Sequence, residues 1–398
     1  MNLRVKLDFG GGRAPIEVGV LSEVGRELAF EYAEAFIASG LDVAPFRLPL
    51  RLGPTVFAHN PGLETFGLFE DSLPDGWGRM IVDRTFKERH GHLPTTAELL
   101  ACVGANGRGA LVYEPADEAM ADSAGEFDLV RLAEAAMAAE ASASAEMLAR
   151  LAKAGGSSGG ARPKAYVGYN PATCEFCAEN PKLPPGFEHW LVKFNTKSDG
   201  HDAGQREFAY YQAAILAGAD MEPCRLVETS AGRFFMTRRF DRTQDGGRLH
   251  LASAAGLLHA DFRIPGEDYA LLFRLADALT RDYGAKTELF RRTALNVLGH
   301  NRDDHLRNFS FLMDAHGKWK LAPFYDFTWA HGPNGWQTLS VAGEGRDPGV
   351  ADLLRLASQI GLDGKTAKEI IERVRSATTN YLAGQDLLPT SRSTVSGA

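Results

Sequence analysis

The sequence HNRDDHLRNFSF, residues 300–311, places two histidines, two asparagines, two arginines and two aspartates within its first nine residues. Surface loops are also polar, so this composition alone is weak evidence of a functional site. The spacing is more specific, because Asp303 is followed by four residues and then by Asn308. Residues 308–327 predict a β-hairpin that ends in PFYDF, and this hairpin would bring a further carboxylate, Asp326, back towards the loop.

The spacing Asp-x-x-x-x-Asn also occurs in the catalytic loop of protein kinases, whose chemistry explains it. One carboxylate accepts or orients the proton of the substrate hydroxyl, a role that suits Asp303. The amide oxygen of Asn308 would reach a Mg²⁺ ion that bridges phosphates, and Asp326 would hold the metal from the other side. Asp304, the neighbour of Asp303, is expected to be a solvated loop acid.

Two charged residues upstream fit the same chemistry. Lys193 is the only charge in the apolar run WLVKF, and a lysine inside an apolar strand is costly unless it is paired. Glu207, on the helix predicted over 204–217, can supply the partner. Taken alone, Lys193 would be an edge-strand lysine facing solvent, and Glu207 would lie on a solvated helix face. Their order before Asp303 and Asp326 instead favours a lysine that grips the α- and β-phosphates of ATP.

A glycine-rich loop, GGSSGGARPK at residues 155–164, precedes Lys193. It contains neither a Walker-type sequence nor a clean G-x-G-x-x-G, and by itself it resembles a flexible linker. Together with the other elements it is better interpreted as a mobile flap over ATP phosphates. Gly159 and Gly160 would then approach the nucleotide, and Lys164 would be a second phosphate contact or a loop anchor.

Composition limits the class of protein. The 398 residues are 44% hydrophobic, 24% charged and 10% aromatic, as in a globular protein of two or three domains or one large two-lobed fold. Fibrous, disordered and disulfide-framework classes are excluded. The net charge of −8 argues against a free-standing nucleic-acid binder, and it leaves open a local basic patch or a DNA-binding partner.

No segment approaches the ~20 apolar residues that cross a bilayer, and the start, MNLRVKLDFGGG, lacks the apolar run of a secretory signal. We therefore expect a cytoplasmic protein without a membrane partner. A reducing compartment also suits the four cysteines, Cys102, Cys174, Cys177 and Cys224. Cys174 and Cys177 form a lone C-x-x-C, which favours a hairpin tip over a zinc site because no second pair exists.

Periodicity predicts an α+β fold, with short strands in the first half and mostly helices in the second. Residues 116–154 predict a long helix, and a loose tail is expected from residue 384. The predicted strands cover residues 3–7, 16–21, 26–32, 107–115, 165–169, 190–194, 225–228 and 234–239. The other predicted helices cover residues 76–84 (after a turn), 96–103, 204–217, 266–282, 286–298 and 365–382.

Six segments of the chain together resemble the HipA family, the kinase toxins of HipBA-type toxin–antitoxin modules. RDDHLRNFSF and PFYDF are similar to the family's T-D-x-H-x-K-N-F-S and P-F-Y-D, and only these two would be specific alone. The other similar segments are FEDSLPDGWGR, GANGRGALVYEP, SSGGARPK and RRFDR. The resemblance runs over nearly the whole chain.

The resemblance implies a two-lobed protein-kinase-like fold with an added β-rich amino-terminal subdomain and a mainly helical carboxy-terminal lobe. The corresponding boundaries are 1–115 for the subdomain, 116–242 for the region with the glycine-rich loop, 243–385 for the helical lobe and 386–398 for a loose tail. The implied activity is phosphorylation of a protein serine or threonine, with ATP and Mg²⁺ as cofactors.

By position, Asp303 resembles the family's catalytic aspartate, Asn308 and Asp326 its magnesium ligands, and Lys193 its phosphate lysine. The resemblance further places Phe240 on the hinge that contacts adenine. Ser157 falls where the family carries an autophosphorylated serine. A phosphate on Ser157 would add roughly two negative charges, which should expel the flap and silence the enzyme.

The implied partners are a small helix-turn-helix antitoxin similar to HipB, DNA mainly through that antitoxin, and a protein substrate of the translation machinery such as an aminoacyl-tRNA synthetase. Three residues depart from the family pattern. Arg238 replaces a hinge glutamate beside the expected adenine contact, whereas Arg162 and Arg307 replace a glutamine and a lysine and keep or add positive charge near the phosphates. Arg307 is therefore retained among the ATP-binding candidates.

Three other functions stay open from sequence. A non-catalytic scaffold or co-repressor could keep the fold, although the intact Asp303, Asn308, Asp326 and Lys193 argue against it. A small-molecule or lipid kinase would use the same catalytic set and differ in the phosphate acceptor. A metal-dependent hydrolase built on residues 300–305 would leave Lys193 and the glycine-rich loop unexplained.

Overall fold

Two groups of elements, one built on antiparallel sheets and one almost wholly helical, organise the chain. The computed structural model describes residues 1–25, 27–117, 128–138, 151, 152, 154, 160, 162–196 and 203–382. The first unit comprises Met1–Gly204, Glu222–Arg263 and Phe309–Ala322, and the second comprises Gln205–Met221, Ile264–Asn308 and Pro323–Ala398.

The first sheet of the first unit follows from alternating hydrophobicity. In β1 (Asn2–Leu7), Leu3, Val5 and Leu7 are buried while the residues between them face outward, as one-sided packing requires. The sheet has the antiparallel order β4-β3-β2-β1-β5. Its other strands are β2 (Ile16–Val24), β3 (Glu27–Tyr32), β4 (Thr55–Val56) and β5 (Leu111–Glu114).

Four helices accompany this sheet: α1 (Glu34–Ser39), α2 (Gly67–Glu70), α3 (Gly76–His90) and α4 (Thr96–Val103). Thr95 and Glu98 form a capping box that satisfies the amino-terminal amides of α4. The buried face of α4 packs on β1, β2 and β5. A further helix, α5 (Leu129–Ala138), lies within the segment that predicted a long helix.

The second sheet carries the predicted phosphate lysine. Its antiparallel order is β7-β6-β8-β10-β9, so β8 is the central strand. A smaller antiparallel sheet has the order β11-β12-β13. The strands are β6 (Lys164–Asn170), β7 (Glu175–Ala178), β8 (Glu188–Lys193), β9 (Cys224–Thr229), β10 (Gly232–Arg238), β11 (His250–Ser253), β12 (Ser310–Met313) and β13 (Trp319–Leu321), with helix α7 (Ala254–Leu258) after β11.

Helices make up the second unit. Its long last helix, α11 (Gly364–Leu382), packs along α9 (Tyr283–Leu298) and α10 (Val350–Gln359). Asp268 and Asp282 cap α8 and α9 with their carboxylates, which explains why α9 starts three residues before the sequence prediction. The helices are α6 (Ala203–Ala217), which begins in the first unit, α8 (Tyr269–Thr280), α9 (Tyr283–Leu298), α10 (Val350–Gln359) and α11 (Gly364–Leu382), with short 3₁₀ turns at Leu306–Asn308 and Pro333–Gly335.

The α+β prediction is confirmed, and so is the hairpin after Asn308, whose turn lies at Asp314–Gly317. The strand predicted over 107–115 is too long, because residues 107–110 form a turn before β5. Ala116 and Asp117 are not helical, and much of the helix predicted over 116–154 lies outside the described residues, as does the tail from residue 384.

Cys174 lies at the tip of the β6–β7 hairpin and Cys177 on β7, as predicted, and all four cysteines are free thiols. None of the helices in the described ranges is long and apolar enough to cross a membrane.

Candidate active site

The loop of residues 300–308 leaves α9 and is fixed at both ends in the second unit. Backbone hydrogen bonds join Arg302 N to Ala330 O (3.3 Å) and Ala330 N to His300 O (3.2 Å). At the other end, the side-chain amide of Asn308 donates to the backbone oxygen of Asp303 at 2.8 Å. The spacing between these two residues therefore has a structural basis, since the amide closes the loop onto the backbone of the candidate catalytic aspartate.

Asp303 presents an exposed side chain beside His305, with 3.8 Å between His305 Nε2 and Asp303 Oδ1. Although the side chain is exposed, partial desolvation by the surrounding loop raises the pKa of Asp303, the negative charges of Asp326 and Asp304 raise it further, and His305 lowers it. A carboxylate with a raised pKa is a better proton acceptor, which is what a general base requires. Asp303 is thus linked within a single unit to both other candidates, to Asn308 by the hydrogen bond to its backbone and to Asp326 by the effect of that charge on its pKa.

Asp326 follows β13 with a positive backbone φ of 56°. This left-handed conformation is uncommon outside glycine, and aspartate and asparagine tolerate it better than branched residues do. The turn aims the chain back towards residue 301, whose side-chain amide lies 3.5 Å from the backbone oxygen of Asp326.

The oxygen donors at this site fit Mg²⁺, a hard cation that takes few protein ligands and completes its shell with water and phosphate oxygens. The Asn308 amide uses its nitrogen on Asp303, which leaves its oxygen for a cation, and Asp326 adds a carboxylate. Within the described ranges, no group of three or more His, Cys, Asp or Glu side chains is placed to hold a metal.

Asp304 is not a solvated acid, so that prediction is wrong. Its exposure is 0%, and it accepts hydrogen bonds from the Tyr269 hydroxyl, the Gln337 amide and two backbone amides. Burial raises its pKa to about 6, and these hydrogen bonds oppose the shift. No residue-type signal separates Asp304 from Asp303 in the sequence, because the partners that bury it lie 35 residues before it and 33 to 35 after it.

Arg307 is buried, and its backbone oxygen accepts a hydrogen bond from Tyr325 at 2.8 Å. Burial lowers the pKa of His305, and Arg307 contributes in the same direction, whereas the charges of Asp303 and Asp326 oppose it. The nucleotide contact assigned to Arg307 stays a prediction.

In the first unit, Lys164 and Lys193 are directly opposed residues on β6 and β8. Opposed side chains of an antiparallel pair share one face of the sheet, and like charges there destabilise it. Lys164 is only 7% exposed, and Lys193 is half-buried with its Nζ 5.8 Å from the centroid of the Phe235 ring. The central position of β8 rules out an edge-strand lysine. The two lysines therefore lie side by side on one face of this sheet.

Gly160 lies in the described ranges, whereas the other small candidates of the glycine-rich loop, Ser157 and Gly159, lie outside them. Its amide donates to the carboxylate of Asp75, and its oxygen accepts from Trp77 N at 3.2 Å. A methyl group at this position would lie 2.7 Å from Lys164 Nζ, and φ is +100°. The segment PDGW at the start of α3 therefore holds Gly160 beside Lys164.

Phe240 packs at the edge of a small apolar cluster in the first unit. The buried members of this cluster are Leu251, Leu312 and Ala322. The neighbouring Arg238 places Nε 2.8 Å from a carboxylate oxygen of Glu222. The departure at residue 238 thus forms a half-buried ion pair, and the adenine contact of Phe240 stays a prediction.

Glu207 lies on α6 in the second unit and is only 3% exposed, so a solvated helix face is excluded. A buried glutamate is rarely stable unless it is paired. The ion pair with Lys193 stays a prediction.

Comparison with known proteins identifies the family. The model of the HipA-like C-terminal domain matches residues 156–381, more than half of the chain, and that of the HipA N-terminal domain matches residues 14–114. Two curated relatives are "Putative kinase Y4dM" of Sinorhizobium fredii, 26% identical over 214 residues (47% of this chain, 51% of the relative), and "Putative kinase" of Haemophilus influenzae, 32% identical over 102 residues (23% and 30%). The chain matches about half of the length of the first relative and less of the second.

A solved structure has the same fold. HipA of Shewanella oneidensis, determined in a toxin–antitoxin complex with HipB and operator DNA, superposes with a TM-score of 0.66 at 18% identity. The alignment covers 98% of this chain and 92% of that one. With both domain models matched and this fold shared, the chain belongs to the HipA family.

Proposed function

We propose that the chain is a kinase that transfers the γ-phosphate of ATP, with Mg²⁺, to a serine or threonine hydroxyl of a protein. The observation that carries this proposal is the arrangement in the second unit, where Asn308 holds the backbone of Asp303 and Asp326 acts on the Asp303 carboxylate. The names of the two curated relatives support a kinase.

In the proposed reaction, Asp303 accepts the proton of the substrate's serine or threonine hydroxyl, and the oxygen of that hydroxyl forms a bond to the γ-phosphorus. The bond between that phosphorus and the β–γ bridging oxygen breaks, and ADP leaves with the electron pair. Asn308 and Asp326 would hold Mg²⁺, which neutralises charge on the phosphates when bound. The raised pKa of Asp303 favours its role as the base.

The candidates for nucleotide binding supply positive charge and close backbone approach. Lys193 and Lys164 would contact phosphate oxygens, and Gly160, with the neighbouring Gly159, would let the backbone approach them. Glu207 would orient Lys193, Phe240 would contact adenine, and Arg307 would add charge near the phosphates.

Replacing Lys193 by methionine is expected to raise the KM for ATP by roughly 10- to 100-fold, because a charge-assisted hydrogen bond contributes ~1.5–3 kcal/mol. Initial rates at varied ATP measure this. Lys320→Met is the matched control, since Lys320 is an exposed strand lysine in the same unit. An unchanged KM in Lys193→Met would remove Lys193 from the site.

We further propose that the chain is the toxin of a HipBA-like module in the cytoplasm and is restrained by a helix-turn-helix antitoxin. The Shewanella relative was solved with HipB and operator DNA, which supports such a partner. The net charge of −8 agrees with DNA being contacted mainly through that partner. The proposed substrate is a component of translation such as an aminoacyl-tRNA synthetase, and Ser157 is the proposed autophosphorylation site.

The test is transfer of label from γ-labelled ATP and Mg²⁺ to a cell lysate, with Asp303→Ala as the control. A labelled protein other than the chain, absent with the variant, would support the proposal and its mass would help to identify the target. Label on the chain alone, mapped to Ser157, would support self-silencing. Label only in small molecules or lipids would indicate a different kinase class, and ATP binding without transfer would indicate a scaffold.

A further inference from the structure

The buried carboxylate of Asp304 joins three segments of the second unit. Its Oδ2 accepts from the Tyr269 hydroxyl at 2.5 Å and from Gln337 Nε2 at 2.8 Å. Its Oδ1 accepts from the backbone amides of Thr338 at 3.0 Å and Leu339 at 3.4 Å. Helix α8, the loop of residues 300–308 and the segment of residues 337–339 therefore meet at one ion.

The same network reaches the candidate metal ligand. Asn296 donates to the Tyr269 hydroxyl at 2.9 Å, and Asn301 donates to the Asn296 oxygen at 3.0 Å. The Asn301 amide also lies 3.5 Å from the backbone oxygen of Asp326, and Gln337 donates to the backbone oxygen of Asn301 at 2.8 Å. Asp304, Asn296 and Asn301 are all buried, so this is an internal network with satisfied members.

We infer that Asp304 is a positioning residue for phosphoryl transfer, one that fixes the backbone from which Asp303 projects and, through Tyr269, Asn296 and Asn301, the backbone of Asp326. Asp303 and Asp304 share one planar peptide unit, so anchoring the second fixes where the side chain of the first leaves the chain. This inference rests on the proposed function, and it adds residues whose types and spacing gave no sign of a role.

The chain offers a matched control in Asp268. Its carboxylate accepts from Ser340 Oγ at 2.7 Å and from the amide of Gly343 at 2.9 Å, which lie directly after the segment of residues 337–339. It also caps α8 through Ala270 N at 2.9 Å. No hydrogen bond among the described residues joins the Asp268 side chain to the loop of residues 300–308. Asp268→Asn thus perturbs the same elements without the link to Asp303.

The experiment measures kcat and the KM for ATP in the wild type, Asp304→Asn, Tyr269→Phe and Asp268→Asn. In Asp304→Asn, the side-chain NH₂ group faces hydrogen-bond donors instead of accepting from them, and this mismatch shifts the loop. A misplacement of about 1 Å at a catalytic group lowers the reaction rate roughly 100-fold. We expect kcat to fall about 100-fold in Asp304→Asn and about 10-fold in Tyr269→Phe, with the KM for ATP within about twofold in both. Asp268→Asn should keep kcat within about twofold.

Hydrogen–deuterium exchange on the same proteins supplies a readout that does not need activity. Faster exchange at residues 302–308 in Asp304→Asn and Tyr269→Phe, but not in Asp268→Asn, is expected. A wild-type kcat in Asp304→Asn, or equal losses in Asp304→Asn and Asp268→Asn, would overturn the inference. If the wild type transfers no phosphate, the proposed function fails, and unchanged exchange at residues 302–308 in both network variants would then overturn the positioning role as well. Should Asp304→Asn not fold, Tyr269→Phe, which keeps the carboxylate, decides the matter by the same two measurements.

Discussion

Replacing Asp326 by asparagine is expected to lower kcat by roughly 10³-fold. The proposed role of this carboxylate is to hold Mg²⁺ against the phosphates, and a metal ion contributes several kcal/mol of charge stabilisation in the transition state. Asparagine suits the positive φ of 56° at this position, so the backbone should be retained and the loss should come from the missing charge. Steady-state kinetics over a range of Mg²⁺ concentrations measure the effect.

Asp314→Asn is the control for this substitution. Asp314 accepts from the amides of His316 and Lys318 in the turn between β12 and β13, and asparagine can keep both bonds. We expect Asp314→Asn to behave as the wild type. An Asp326→Asn protein with undiminished kcat and unchanged dependence on Mg²⁺ would contradict the assignment of Asp326 as a metal ligand.

The largest effect on stability is expected at Asp241, in the segment RRFDR. Its buried carboxylate accepts from Arg239 Nε at 3.0 Å and Nη2 at 2.8 Å, from Arg242 at 2.8 Å and from the amide of Gly109 at 2.7 Å. Asp241→Ala leaves the buried Arg239 and the largely covered side chain of Arg242 without their main counter-charge, which costs about 3–5 kcal/mol. Chemical denaturation measures the change in the free energy of unfolding.

The exposed pair Glu228–Arg233 on β9 and β10 provides the comparison, because Glu228→Ala should change that free energy by less than about 1 kcal/mol. The arginines hold the pKa of Asp241 well below its usual range, although burial opposes them. Its contribution to stability is therefore complete above pH ~4, the ordinary pKa of an aspartate, and is lost as the pH falls further. Equal losses in Asp241→Ala and Glu228→Ala would contradict a dominant role for this cluster.

Local signals in the sequence predicted much of the architecture. The helices predicted over 96–103 and 204–217 are observed as α4 and α6. Both predictions were possible because each segment combines apolar periodicity with a clear signal for the start or the end of a helix. The strand at 107–115 was predicted too long, because Gly107–Gly109 form a turn that their neighbours in sequence do not reveal. The short α1, α2, α7 and α10 were not predicted, and such short helices depend strongly on tertiary packing for their stability.

The same distinction applies to the candidate site. Asp303, Asn308 and Asp326 could be chosen as candidates because the order and spacing of residue types suit their proposed chemistry. Asp304 could not, because Tyr269 and Gln337, which bury it, are distant in sequence. Lys164 was identified only as a second phosphate contact or a loop anchor, and its pairing opposite Lys193 emerges from the register of β6 and β8.

The most direct test of the central claim is a single-turnover measurement of γ-phosphate transfer by purified wild type and Asp303→Asn. The reaction contains Mg²⁺ and, as acceptor, the lysate protein that the labelling experiment identifies. We predict that Asp303→Asn binds ATP as the wild type does and transfers phosphate roughly 10²- to 10⁴-fold more slowly, the range for loss of a general base. Transfer by Asp303→Asn at the wild-type rate would contradict the claim that this loop performs the chemistry.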